Sequence, residues 1–280
     1  DCFAGLYWKA PSAGSQNVLA RFGDAGKVAA ECDVTVAVLG INKSIEREGQ
    51  DRFSLELPVD QQEFIKELYK VNPNTVVVLV AGSSMAVNWM DENVPAILNA
   101  WYPGEQGGNA VAEVLFGDYN PGGRLPLTYY NSLDEIPAFD NYFVKGRTYQ
   151  YFEGQPLYEF GYGLSYTKFR YKSKGVNVEQ DTVKVSFEVS NTGKYDGDEV
   201  TQVYVKYPET GTYMPLKQLH GFKRVHIKKG KTSKVTIGVP KKDLRYWDEQ
   251  ERKFVTPKGE YTFMVGASSD DIKFRETVGL

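Results

Sequence analysis

Two spacings of apolar positions divide this 280-residue chain. In the first half, short continuous apolar runs alternate with helical patterns. Val34-Thr35-Val36-Ala37-Val38-Leu39-Gly40 is rich in β-branched residues and ends in glycine, which predicts a parallel strand buried on both faces. Residues 58–69 set Phe64, Ile65 and Leu68 at helical spacing behind Pro58, a residue suited to the first turn of a helix. Residues 75–82 repeat the pattern of the first strand, residues 94–101 give a third, and residues 107–117 read as a short helix closed by Gly117. Strand, helix, strand, strand, helix is the order of an open, mainly parallel α/β sheet. From about residue 165 the helical spacing stops. Residues 183–189, 199–205 and 234–239 alternate strictly, residues 261–266 form a last run, and turn clusters such as Asn191-Thr192-Gly193 and Pro257-Lys258-Gly259 separate them. About seven short alternating strands predict an immunoglobulin-like or fibronectin type III-like sandwich.

Between these halves the chain changes character. Residues 131–164 carry many aromatic side chains, Tyr149, Tyr151, Phe152, Tyr158 and Phe160 among them, punctuated by glycine without a period. A segment so aromatic is not disordered, and it reads as a connector laid over another surface. The division expected is therefore residues 17–130 as the α/β domain, 131–164 as connector and 165–280 as the β-sandwich. Residues 12–16, Ser-Ala-Gly-Ser-Gln, read as a linker behind the first residues.

Composition narrows the chemistry. No run of 18 apolar residues occurs, so no membrane span is expected. A net charge of -3 lacks the basic face that a nucleic-acid partner demands. Cys2 and Cys32 are too few for a disulfide framework or a cysteine-rich zinc site, and Cys32 reads as a small buried thiol. The two histidines, His220 and His226, lie in strand-like segments of the second half at even spacing, which would put them on one face as ordinary sandwich residues. No metal site and no cofactor are expected. Neither a dinucleotide fingerprint nor a Walker sequence follows any strand. Any acid or base in the first half must be a carboxylate, a tyrosine or a lysine.

Loops after the carboxyl ends of parallel strands are where α/β sheets place ligands. The loop after the first strand runs from Gly40 to the helix start at Pro58, longer than the usual two to six or so residues. It carries Lys43, Glu46, Arg47, Glu48, Asp51 and Arg52. Such a loop is either functional or a solvated charged excursion, and composition alone leaves both open. Ser83-Ser84, after the next strand, lacks a base partner and reads as a turn.

The residues also carry a resemblance. Gly40-Ile41-Asn42-Lys43-Ser44-Ile45-Glu46-Arg47-Glu48-Gly49-Gln50-Asp51-Arg52 with Leu55-x-Leu57-Pro58 resembles the acid/base loop of glycoside hydrolase family 3. Trp101-Tyr102-Pro103-Gly104-Glu105-Gln106-Gly107-Gly108, Asn120-Pro121-Gly122-Gly123-Arg124-Leu125-Pro126 and Phe160-Gly161-Tyr162-Gly163-Leu164-Ser165-Tyr166 are similar to that family's later motifs, in the same order. Ala4-Gly5-Leu6-Tyr7-Trp8-Lys9-Ala10-Pro11 is similar to the closing strand of a PA14 β-sandwich, which makes residues 1–16 the tail of an upstream module and its linker.

The resemblance implies an exo-acting retaining β-glycosidase, a β-glucosidase or β-xylosidase, that takes terminal sugars from a β-linked oligosaccharide or glycoside. It implies a periplasmic or secreted location, although Asp1-Cys2-Phe3-Ala4 begins no signal peptide. Its nucleophilic aspartate belongs to an N-terminal TIM-like barrel, for which these residues have no room; the barrel is then a partner on the same precursor or on another chain. Glu48 matches the general acid/base, with Glu46 as the rival, and Asp51 and Arg52 match a pair that braces the loop. The acid of a retaining pair needs a raised pKa, which a neighbouring cation would lower, so Arg47 and Arg52 are expected to point away from Glu48. No substrate-binding residue is assigned. The competing expectation is a carbohydrate-binding or structural module without chemistry, for which an acid/base loop has no use.

Overall fold

The computed structural model describes residues 3–7 and 18–280, with side chains from residue 24 onward. Cys2 and residues 8–16, including the expected linker, lie outside the described residues. The chain forms two compact units: residues 1–115 with 129–135, and residues 116–128 with 136–280.

The first unit is an α/β sheet. Strands β1 (Phe3–Tyr7), β2 (Val34–Gly40), β3 (Thr75–Val80) and β4 (Ala96–Asn99) lie side by side in that order, each pair parallel. Helices α1 (Val18–Ala30), α2 (Val59–Val71) and α3 (Asn88–Asn93) connect them, and α4 (Gly107–Phe116) follows β4. Pairing of Phe3–Tyr7 with β2 corrects the expectation of an upstream module over these five residues: their backbone is a strand of this sheet. Helix α2 buries Gln61, Phe64, Ile65 and Leu68, the i, i+3, i+4, i+7 stripe of an amphipathic helix. The burial expected for β2 is also corrected. Thr35, Ala37 and Leu39 are buried whereas Val36 and Val38 are only partly so, so one face of the strand is fully covered and the other is not. Asn72, at the end of α2, donates to the carbonyls of Ala29 (3.0 Å) and Cys32 (2.8 Å) and so caps α1 from a neighbouring element.

The second unit is a two-sheet sandwich. One sheet has the order β13-β12-β7-β8 and the other β5-β6-β9, where β5 is Phe169–Val178, β6 Thr182–Asn191, β7 Gly197–Lys206, β8 Gln218–Ile227, β9 Thr232–Pro240, β12 Glu260–Gly266 and β13 Ile272–Gly279. The hairpin of β10 (Tyr246–Asp248) and β11 (Lys253–Val255) projects from it, and a short helix α5 (Thr148–Tyr151) precedes it. Val183, Val185, Phe187 and Val189 of β6 face Val203 and Val205 of β7 and Tyr261, Phe263 and Val265 of β12 in one buried core, the inward half of each alternation. A register shift at Val203/Tyr204 leaves His220 unpaired between Leu219 and Gly221, and a bulged residue reverses the parity of a strand. The two histidines therefore have different surroundings, contrary to their even spacing. His220 is hydrogen-bonded to the Tyr207 hydroxyl at 2.8 Å, and burial holds its pKa below the usual value; His226 is exposed and meets Asp198 at 2.7 Å.

The aromatic segment belongs largely to this unit. Tyr149 stacks on Phe160 (ring centroids 4.4 Å apart), Tyr158 on Tyr162 (5.1 Å) and Tyr151 on Tyr213 (5.4 Å), while Phe139, Tyr142 and Phe143 are exposed. The turn cluster around Arg124 is held by a buried ion pair. Arg124 donates to Glu199 at 2.7 Å with both side chains under a tenth exposed, and the Tyr171 hydroxyl donates to the other carboxylate oxygen at 2.6 Å. Burial raises the Glu199 pKa, and the bonds from Tyr171 and Arg124 offset that only in part.

Removing one partner of a buried pair costs about 3–5 kcal/mol because the other charge stays behind. Arg124→Met should destabilise the second unit by about that amount in urea unfolding at neutral pH. Glu199 binds its proton more tightly when folded than when unfolded. The gap between variant and parent should therefore narrow as the pH falls into the carboxylate range and the orphaned group is neutralised. A gap that widens on acidification would refute this account.

Candidate active-site loop

The loop after β2 starts from a clamped glycine. Gln61, buried on α2, accepts from the Gly40 N–H and donates to the Gly40 carbonyl, both at 2.8 Å. A polar side chain on the apolar stripe of a helix is thus fully used. Gly40 also runs so close to β3 that a Cβ there would sit 1.8 Å from the Val80 carbonyl oxygen; no other residue fits. The next N–H, of Ile41, donates to the same Val80 oxygen at 3.1 Å. Asn42 then accepts from the Ser44 N–H (2.8 Å) and hydroxyl (2.6 Å), a local turn that starts the excursion.

Arg52 holds the far side of the loop. Its Nε meets Glu46 Oε2 at 2.7 Å, and the other nitrogens donate to the carbonyls of Leu55 (3.3 Å) and Ser84 and reach Met85 Sδ. Glu46 Oε2 also accepts from the Ser83 hydroxyl at 2.6 Å. Ser83-Ser84, read above as a simple turn, is therefore part of the loop's anchorage; the signal was its position at the carboxyl end of the neighbouring parallel strand. Asp51, expected to share the bracing, is exposed and forms no hydrogen bond or ion pair among the described residues. The bracing falls to Arg52, whose five donors can span two loops where one short carboxylate cannot.

Glu48 lies at the tip. Arg47 and Gln50 exchange backbone bonds at 3.1 and 2.9 Å, which makes Glu48-Gly49 a two-residue turn. Gly49 has a φ of 74°, the left-handed conformation that the third position of such a turn demands. Glu48 is exposed and, among the described residues, unbonded; Arg47 is exposed as well. The two carboxylates of Glu46-Arg47-Glu48 are thus in opposite situations, one tied into the scaffold and one held out from it. Phe53, on the same loop, is 97% exposed.

The carboxyl end of β4 completes this edge of the sheet. The Tyr102 hydroxyl donates to the Ile41 carbonyl at 3.2 Å, and Trp101 has a φ of 54°, a strained value for a residue with a side chain. Tyr129 is buried behind Asn99, whose amide donates to its hydroxyl at 3.0 Å; burial pushes its pKa up to about 12, so it stays a neutral phenol. Among the described residues no group of three histidine, cysteine or carboxylate side chains could hold a metal ion.

Comparison with known proteins agrees with both units. The family model for the glycosyl hydrolase family 3 C-terminal domain matches residues 7–166, and that for a fibronectin type III-like domain matches residues 199–269. Xylan 1,4-beta-xylosidase of Xylanibacter ruminicola is 42% identical over 225 residues, 80% of this chain and 26% of that protein. The periplasmic beta-glucosidase of Salmonella typhimurium is 33% identical over 287 residues, 97% of this chain and 37% of that protein. Among solved structures, the beta-glucosidase from Kluyveromyces marxianus in complex with glucose superposes with a TM-score of 0.88 at 35% identity, covering 95% of this chain and 34% of that one. The chain spans between a quarter and two-fifths of the length of these relatives.

Replacing Arg52 by Met should leave Glu46 with only the Ser83 hydroxyl, take the donor from two carbonyls, and cost about 2–3 kcal/mol in the first unit. The same change should open residues 42–52 to limited proteolysis. Asp51→Ala, which removes no hydrogen bond or ion pair among the described residues, should fall within about 0.5 kcal/mol of the parent. Equal losses for the two variants would show that the loop is not held in this way.

Proposed function

Because the chain belongs to glycoside hydrolase family 3, we propose that it forms the acid/base-bearing part of an exo-acting retaining β-glycosidase, with Glu48 as the proton donor and acceptor. The observation that carries this reading is the contrast on one loop between Glu46, engaged by Arg52 and Ser83, and Glu48, unbonded on a turn tip.

Retaining hydrolysis needs two carboxyl groups about 5–5.5 Å apart on either side of the scissile bond. In the first step one carboxylate attacks the anomeric carbon while the acid gives its proton to the departing oxygen; in the second the resulting carboxylate takes a proton from the water that frees the sugar. A group serving both steps must keep its oxygens clear of permanent partners, as Glu48 does. Glu46 has one oxygen committed to a cation and a hydroxyl, which suits an anchor. Arg52 is occupied by Glu46, Leu55 and Ser84 and is not paired with Glu48. Glu46, Glu48 and Asp51 leave one loop in sequence and are poorly placed to face each other across a sugar ring; the resemblance to the family implies an attacking aspartate from an N-terminal barrel, on the same precursor or on another chain. The substrate is a terminal β-linked sugar, glucose or xylose by the names of the relatives. A periplasmic or secreted setting fits the periplasmic relative, and no helix among the described residues is long and apolar enough to cross a membrane.

In the complete enzyme, Glu48→Gln should lower kcat/KM on an alkyl β-glycoside by about 10²–10⁴-fold. On a dinitrophenyl glycoside, whose leaving group departs without a proton, the loss in kcat/KM should shrink sharply while kcat stays low, because the second step still lacks its base. Glu46→Gln should instead lower the melting temperature and leave the leaving-group dependence unchanged. If Glu46→Gln, and not Glu48→Gln, gives the loss that shrinks with the better leaving group, the two roles are reversed. The 280-residue chain by itself should not hydrolyse either substrate.

A further inference from the structure

The second unit contains a cleft of about 360 Å³ that the proposed chemistry does not use, within the usual size of small-molecule sites. Tyr149, Phe152 and Gln155 line it from the segment at and after α5, Lys217 from the loop before β8, and Ser269 and Asp270 from the turn between β12 and β13. None of residues 41–57 takes part.

Two features set this cleft apart from an incidental gap. Ser269 is 1% exposed, and its hydroxyl has no hydrogen-bond partner among the described residues, a condition that folded proteins avoid unless a water or ligand supplies the bond. The wall beside it is fixed at the expense of backbone strain: Thr148 has a φ of 56°, which β-branched residues rarely adopt. Tyr149, the next residue, is then held from three sides. Its N–H donates to Thr128 Oγ1 at 2.9 Å, its hydroxyl accepts from the Leu219 N–H at 3.0 Å, and its ring stacks on Phe160.

The lining defines the chemistry of a ligand. Glu153 and Asp270 are hostile to an anion, and Lys217, paired with Asp270, is hostile to a bare cation. Glu153, Gln155, Ser269 and Asp270, the last already engaged by Lys217, bring polar groups to the lining, while Tyr149, Phe152 and Pro156 supply apolar surface for C–H faces. That combination suits a neutral, polyhydroxylated ring. We propose that this cleft is a second carbohydrate site, which takes one pyranose unit or the end of an oligosaccharide. Only the choice of test sugars rests on the glycosidase reading.

The test is titration of the 15N-labelled 280-residue chain with xylobiose and with cellobiose. Saturable amide shifts are expected at Tyr149, Gly154 and Ser269 for at least one of the two. Glu153→Ala and Gln155→Ala, both at exposed positions, should weaken binding by about tenfold each, one hydrogen bond's worth. Ser269→Ala should weaken binding while raising the melting temperature, since it removes an unpaired buried hydroxyl; a purely structural serine would not separate the two. Shifts absent with both sugars, shifts confined to other residues, or binding indifferent to Glu153→Ala and Gln155→Ala would each overturn the proposal. Hydrolysis by the complete enzyme with Glu48→Gln is read independently, so failure at one site leaves the other standing.

Discussion

A loop that leaves β2 at Gly40 and enters no helix until Val59 has more chain than its ends can hold still, and the guanidinium of Arg52 is what closes it. From one planar group it reaches backward to Glu46, forward to Leu55 and sideways to the Ser84 carbonyl at the end of the next strand. The sideways bond matters most. The other two could form within a loop that moves as a body, whereas Ser84 belongs to a chain segment set by the parallel pairing of β3. Together with the Gln61 clamp on Gly40, this fixes the loop at its root and at its return and leaves the turn at Glu48-Gly49 exposed. A site built on such a framework has its reactive group positioned by the sheet although the group itself lies on irregular chain.

The second unit meets a similar problem with a different solution. Its turn cluster at residues 120–126 comes from the chain between α4 and the aromatic segment, yet its contacts are with the sandwich: Arg124 with Glu199, Asn120 with the Asp196 carbonyl and with Ser165, and Leu125 with Tyr162 through the backbone. Here the anchoring ion pair is almost fully buried, whereas the Arg52–Glu46 pair keeps a quarter of the glutamate exposed. Burial on that scale makes a pair costly to form and costlier to break, which suits a tie that is never meant to move. The Tyr171 hydroxyl satisfies the oxygen of Glu199 that Arg124 does not bond.

The parts legible in the sequence were those where one periodicity ran uninterrupted. Strands β2, β3, β6, β7, β9 and β12 and helices α2 and α4 follow from spacing alone; in β6, β9 and α2 a single set of positions is buried. Helix α1 was not legible: Gly23 and Gly26 weaken it as a local helix, and its last turn is capped by Asn72 some forty residues away. The half-covered face of β2 was hidden for a related reason, since a continuous apolar run reads the same whether one face is covered or two. On β8 a single bulged residue reversed the parity that the His220 and His226 spacing predicted. The loop's chemistry divided in the same manner. Its charge and length marked it as a candidate, but the separation of Glu46 from Glu48 depends on Ser83 and Ser84, partners that only the parallel register brings within reach.

That separation explains why two glutamates can sit two residues apart without competing for one role. In an extended segment, positions i and i+2 fall on the same face, and two carboxylates so placed would repel each other. The turn at Glu48-Gly49 breaks the alternation immediately after Arg47, so Glu48 leaves the face on which Glu46 meets Arg52. Gly49 is what permits it, since its φ of 74° is strained for any other residue. One glycine thus decides that the anchoring carboxylate and the free one face different surroundings, and the chemistry proposed for Glu48 rests on a backbone angle as much as on its own side chain.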